Sequence, residues 1–148
     1  MEHVDLEASV KLTVERLAEA LGVARVSVWL YNADRTEIAC VGLIAHGEFS
    51  DRRIVLTSAE YPSYFNAIRD LRLIEASQAR TDQRTAEFRQ NYLEPLGITS
   101  MLDVSLVVGG EPIGVICAEH VGPERAWSDA EADLMTSAAA LLAIAFAI

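Results

Sequence analysis

Asp103 is the first residue in this sequence whose setting calls for a chemical explanation. It stands in the apolar run MLDVSLVV of residues 101–108, where burying a carboxylate is costly unless it is hydrogen-bonded or paired. Two readings are open. It is a structural acid satisfied by a donor such as Arg84 or a tyrosine, or it faces a ligand, since perturbed acids concentrate in clefts. His120 ends the next apolar run, VICAEH. It reads either as a strand-end histidine bonded to backbone or as a second polar group beside Asp103. Metal ligation does not suit it, because no other His or Cys stands at ligand spacing. Trp29, Tyr64, Tyr92 and Met101 are large enough to wall a pocket and equally suited to plain core. Cys40 and Cys117, the only two cysteines, lie in strand-like apolar segments and read as reduced, buried thiols of a cytosolic protein. No Ser/His/Asp set, phosphate loop or metal motif occurs, so no catalytic residue and no metal site is expected.

The elements that must position these residues centre on residues 99–122, TSMLDVSLVVGGEPIGVICAEHVG. Two apolar runs flank Gly109-Gly110, a pair that takes the positive φ values of a two-residue hairpin turn. With that turn Val108 opposes Glu111, Leu106 opposes Ile113, Val104 opposes Val115 and Leu102 opposes Cys117. Opposed residues share a face. One face is then aliphatic: Leu102, Val104, Leu106, Ile113, Val115 and Cys117. The other mixes Thr99, Met101, Asp103, Ser105, Gly114, Ile116, Ala118 and His120, as a cavity wall would. Glu119 falls on the aliphatic side, where bridging or capping suits it better than catalysis. The assignment depends on the register, since a one-residue slip exchanges the faces.

Upstream, Leu6, Val10, Val14, Leu17 and Leu21 form one stripe of an amphipathic helix over the first 21 residues, with Gly22 as its stop. RVSVWLY (25–31) and residues 36–44 alternate as two paired strands, with Ser27, Trp29, Ile38 and Cys40 on one face. Val26, Val28, Ala39 and Val41 take the other. Residues 46–53 read as loop, and residues 54–56 as a short edge strand. Pro62 opens a helix whose buried side is Tyr64, Phe65, Ile68 and Leu71. Residues 73–76 make a brief strand. Residues 81–93 have helical composition, and Pro95 is expected to end that helix. Ser128 and Glu131 form a capping box for a last helix that is apolar nearly all round. Its sheet can bury only one side, so the other needs a partner.

The formal charge of −10, from 12 basic and 22 acidic residues, is the wrong sign for a nucleic-acid surface. The apolar run of residues 134–148 is shorter than the roughly 20 residues of a membrane span, and no membrane insertion is expected. That run ends in mid-pattern, which predicts a single domain, residues 1–148, excised from a longer protein.

This order of elements resembles a GAF domain: an α+β fold related to the PAS and profilin-like folds. RVSVWLY, YPSYF, TDQRT, YLEPLGITSMLD and GGEPIGVICAEHVGPERAW look like GAF modules of bacterial sensor histidine kinases and cyclic-di-nucleotide signalling proteins. The resemblance runs from about Val4 to Phe146. It implies a central antiparallel sheet with the terminal helices on one face and a helical segment roofing a small-molecule pocket on the other. It also implies a homodimer through the terminal helices, and it raises Arg84 as a possible anion clamp where spacing alone suggests a helix turn. Three family chemistries lack their residues. The Asn-Lys-Phe-Asp-Glu set of cyclic-nucleotide GAF domains is missing. Pro123 and Arg125 are similar to phytochrome-type domains, yet the middle segment has no Cys-His pair for a bilin. Methionine sulfoxide reductases of this family group several cysteines, whereas Cys40 and Cys117 fall on opposite faces in the registers above.

The expectation is therefore a cytoplasmic, non-enzymatic sensory module. An unidentified small molecule would bind at Trp29, Tyr64, Arg84, Tyr92, Met101, Asp103 and His120, and the terminal helices would signal to an output domain such as a histidine kinase. The alternatives are a ligand-free dimerisation or spacer module and a small GAF-type reductase. No cofactor is assigned.

Overall fold

The computed structural model describes residues 5–148; Val4, where the resemblance above begins, lies outside them. Helix α1 (Leu6–Leu21) starts at Asp5, whose side chain accepts from the Ala8 N–H, and stops at Gly22 with φ 65°. Strands β1 (Arg25–Tyr31) and β2 (Glu37–Ala45) follow. Two short strands, β3 (Glu48–Ser50) and β4 (Val55–Thr57), both pair with β2. Residues 48–50, expected as loop, are thus an edge strand whose Phe49 packs on the core. Helix α2 (Pro62–Leu71), β5 (Leu73–Ala76), the roof segment described below and α3 (Glu94–Leu96) lead to the long hairpin β6 (Ile98–Val108) and β7 (Glu111–Val121). Helix α4 (Asp129–Ala147) closes the chain behind the expected capping box of Ser128 and Glu131. The strand order is β3-β2-β1-β7-β6-β5 with every pairing antiparallel.

The sheet separates two apolar cores. Val10, Val14 and Leu17 of α1 and Met135, Ala139 and Leu142 of α4 pack on one face. The other face is covered by Tyr64, Phe65 and Ile68 of α2 and by Phe88 and Leu93. This is the two-faced architecture expected from alternation, although Leu71 departs from it. It was expected on the buried side of α2, but lies 54% exposed in the last turn before Arg72 turns left-handed at φ 61°. Besides this packing, Arg125 links the ends of the two terminal helices. Arg125 donates to the Leu21 carbonyl at 3.0 Å, pairs with Glu131 and lies 4.6 Å from the Trp127 ring centroid.

The hairpin register departs from the expected one in a way that matters for function. Val108 pairs with Glu111 and Val107 with Pro112, as a two-residue turn demands. Next, Leu106 pairs with Gly114, so Ile113 is a bulge residue and the pairs from Leu106 back to Ser100 are shifted by one, until a second irregularity at Thr99 restores the register at Ile98 and Val121. Asp103 pairs with Cys117 and Met101 with Glu119. Val115 and Cys117 consequently belong to the α2-side core, and Ile116 and Ala118 to the α1/α4 side. Cys117 therefore shares a face with Cys40 rather than opposing it. The cause is local. Pro112 has no N–H to give the ladder, and bulges accommodate such a residue. Gly114 has no side chain where β1 crosses: a Cβ there would sit 2.0 Å from the Trp29 carbonyl oxygen. Gly114→Ala is expected to push β1 off β7 and cost about 3 kcal/mol or more, since backbone cannot yield as a side chain does. Urea unfolding checks this; a loss below about 1 kcal/mol would contradict the close approach.

Candidate functional site

The β7 shift gathers the buried polar groups of the sheet under one roof. The roof is not the regular helix expected over residues 81–93. It is a 3₁₀ turn (Ala86–Phe88), then a five-residue π-helix (Arg89–Leu93), then α3. Pro95 does not end this run; it sits in the first turn of α3, where its missing N–H costs nothing. It cannot donate to Asn91 as an α-helix would require, and the turn before it is widened. Gly97, at φ 72°, makes the stop. π-Turns recur at functional sites, and this one carries Tyr92 onto the sheet. Glu87 of the same segment accepts from the backbone N–H groups of Ser63 (2.9 Å) and Tyr64 (3.3 Å), capping α2 from outside.

Two buried acid–phenol contacts join roof to sheet. The Tyr64 hydroxyl donates to Asp103 Oδ2 at 2.6 Å and lies 3.7 Å from Cys117 Sγ. The Tyr92 hydroxyl donates to Glu119 Oε1 at 2.7 Å, and Arg25 Nε donates to the same oxygen at 3.0 Å. Arg25 and Glu119 are register partners across β1 and β7, both buried. Trp29 is oriented by donating to Ser27 Oγ at 2.7 Å. Asp103 is fully buried, yet among the described residues no donor reaches its Oδ1.

Burial raises the Asp103 carboxyl from its ordinary value of 3.8 to about 7. The Tyr64 hydrogen bond opposes the rise and the neighbouring Glu119 charge adds to it. Glu119 is also raised by burial, against the pull of Arg25. Burial lifts both thiols, Cys117 strongly with help from the Asp103 charge, and Cys40. A raised thiol pKa suppresses the nucleophilic thiolate.

Of the sequence-derived candidates, Trp29, Tyr64, Tyr92, Met101 and Asp103 line one cavity between sheet and roof, together with Phe88, Cys117, Glu119 and the apolar Ile38 and Leu56. The space left among them is about 10 Å³, room for about one water molecule. Arg84 and His120 are elsewhere. Arg84 is held by Asp82 at 2.7 Å and by the Glu75 carbonyl at 2.8 Å, so it does not satisfy Asp103. His120 pairs in register with Ser100 and is half-buried, its Nδ1 enclosed without a partner among the described residues. Arg25 and Glu119 were not singled out as site residues from sequence. The signal available was Pro112-Ile113-Gly114, whose bulge moves Glu119 to the cavity side.

The profile of the GAF domain family matches residues 5–146. The chain belongs to the GAF domain family. Similar solved structures include the blue-light-absorbing GAF domain of PixJ from Thermosynechococcus elongatus, at 22% identity and TM-score 0.78, covering 95% of this chain and 83% of that one. A methyl-accepting chemotaxis protein is also 22% identical, with TM-score 0.78 and coverage of 97% and 90%. The GAF domain of an Acinetobacter phosphoenolpyruvate-protein phosphotransferase is 16% identical, with TM-score 0.74 and coverage of 99% and 84%. Among curated proteins no relative matches.

Proposed function

We propose that this chain is a cytoplasmic, non-enzymatic sensory GAF module that binds a small molecule between sheet and roof. The bound state biases the terminal helices, which act on an output domain such as a histidine kinase. The observation that carries this reading is Asp103, a fully buried carboxyl with one oxygen unpartnered, beneath a roof held by two phenol contacts and containing a π-turn. A plain core has no use for such a group. Since a ligand shifts an equilibrium only by its differential affinity for two states, the roof contacts at Tyr64 and Tyr92 are the ones that binding must alter. Native mass spectrometry of the purified chain, before and after mild denaturation, tests this: a defined extra mass lost on unfolding supports it. A bare mass at all protein concentrations, with no small molecule able to raise the melting temperature, refutes it.

The module would work as a homodimer. Leu12 of α1 and Leu134, Leu141 and Ile144 of α4 are exposed, and α4 carries no charge after Asp133. A charge-free stripe calls for an apolar partner, and a two-fold axis supplies the same stripe from a second copy. Leu141→Asp is expected to convert dimer to monomer in light scattering while leaving the fold of the single chain intact by circular dichroism, because Leu141 is 70% exposed within one chain. A variant that stays dimeric would exclude this face.

One observation favours a second reading, a ligand-free dimerisation and spacer module: the cavity of about 10 Å³ is already filled by side chains. The same mass measurement separates the two. The reductase reading has two thiols on one face in its favour, but burial holds both in the protonated form.

A further inference from the structure

The geometry points to a small cationic N–H donor, such as an amidinium, guanidinium or protonated amine, as the ligand class of the roofed face, with Asp103 as its counter-charge. This rests on the reading of that face as a ligand site.

The argument begins with which buried charges are already matched. Glu119 receives Arg25 Nε and the Tyr92 hydroxyl on one oxygen, and Arg25 also donates to Tyr92 at 3.2 Å. Arg25 thus balances the Glu119 charge. Asp103 receives the Tyr64 hydroxyl, the Cys117 thiol beside it is a weak neutral donor, and its Oδ1 has no hydrogen-bond partner among the described residues. The groups packed around Asp103 cannot supply a positive charge. From α2 comes the Tyr64 phenol, from β7 come the Cys117 thiol and the Glu119 carboxylate, and from β5 comes apolar Ile74. The face thus holds two carboxyl groups against one guanidinium, and that guanidinium is engaged. An entering anion would meet two acids and no available cation. A neutral apolar ligand would leave Oδ1 as it is. An N–H cation satisfies Oδ1 and balances the charge in one contact.

The walls agree with this class. Phe88 lies 4.5 Å from Tyr61, 5.0 Å from Tyr64 and 6.0 Å from Tyr92, measured between ring centroids. Such a cluster offers electron-rich faces, and a desolvated cation gains from them. The formal charge of −10 also concentrates cations rather than anions at the surface. Because the cavity admits about one water, entry requires the roof to part. The contact that competes with the ligand is the Tyr64 hydroxyl on Asp103.

Three probes of one shape and different charge make the test: benzamidinium, benzamide and benzoate. They are titrated by calorimetry into the wild-type chain and into Asp103→Asn at pH 6.0 and 8.0, in two buffers of different ionisation enthalpy. Benzamidinium is expected to bind in preference to the other two. At pH 6.0 its binding expels the Asp103 proton to buffer, and at pH 8.0 release is much smaller. Asp103→Asn is expected to weaken benzamidinium binding about thirtyfold or more, as for a buried charge partner removed. If benzamide or benzoate binds as tightly as benzamidinium, or if Asp103→Asn leaves its affinity unchanged, the cationic class is wrong while the ligand site stands. If none of the three binds the wild-type chain, the roofed face is not a ligand site and both readings fall.

Discussion

Asp103→Asn is expected to stabilise this protein, and to do so more strongly as pH rises. The folded carboxyl titrates at about 7, against 3.8 for its ordinary value. Between these values the folded state holds a proton that the unfolded state has released. Stability therefore falls as pH rises through this window. The contribution is fully present below about pH 3.8 and fully lost above about pH 7. At 1.36 kcal/mol per pH unit, the loss accumulates to about 4 kcal/mol by pH 8. Asparagine has the same shape, still accepts from the Tyr64 hydroxyl, and does not ionise. Its advantage over the wild type should grow from near zero around pH 3.5 to about 4 kcal/mol at pH 8. Other carboxylates titrate in both proteins and cancel in the difference. Urea unfolding of both chains at several pH values measures it. A difference that is flat with pH would mean that Asp103 is solvated and the roof open.

Arg25→Met is expected to be the most damaging single change at the site. It leaves Glu119, 2% exposed, with the Tyr92 hydroxyl as its remaining donor, and it removes the cation that lies 5.7 Å from the Tyr92 ring centroid. Breaking a buried ion pair from one side costs about 3–5 kcal/mol, because the other charge stays buried without its partner. The methionine keeps the apolar stem of the arginine, so lost packing is a small part of that figure. With the Arg25 attraction gone, only the Tyr92 hydrogen bond opposes burial, and the Glu119 carboxyl rises further. The destabilisation should therefore be larger at pH 8 than at pH 5. Arg25→Met combined with Glu119→Leu is expected to recover most of the loss, since apolar replacement of a whole buried pair is often neutral. A double-mutant cycle reads the coupling. If Arg25→Met alone costs less than 1 kcal/mol, the pair is solvated, and the closed roof described here is wrong.

Both results turn on β7, where sequence and structure part. Alternation along each strand is a local property, and it placed Leu102, Val104 and Leu106 opposite in face to Met101 and Asp103 without any knowledge of partners. Pairing is not local. It was right at Val108 and Glu111, next to the turn, and wrong by one from Gly114 to His120, because the bulge answers to two circumstances at once. One, the missing N–H of Pro112, can be read from the chain. The other, the Trp29 carbonyl against Gly114, exists only once β1 has been laid beside β7. The same division applies in the roof. Helical composition was legible in residues 81–93, but not the 3₁₀ and π geometry that seats Phe88 and Tyr92 over the sheet.

By itself the sequence determined the order of the main elements, the two-sided character of the sheet, the stop of α1 at Gly22, the capping box of α4, and the presence of an acid where an apolar strand should be. These rest on periodicity and short-range capping, which reach no further than one turn or one strand. Only the tertiary structure decided that Glu119 and Cys117 join Asp103 under the roof, and that Arg25 is spent on Glu119. It likewise decided that Arg84 is spent on Asp82 and that His120 leaves the site. The physical reason is that a site is an intersection of faces from different strands, and one bulged residue is enough to change which faces meet.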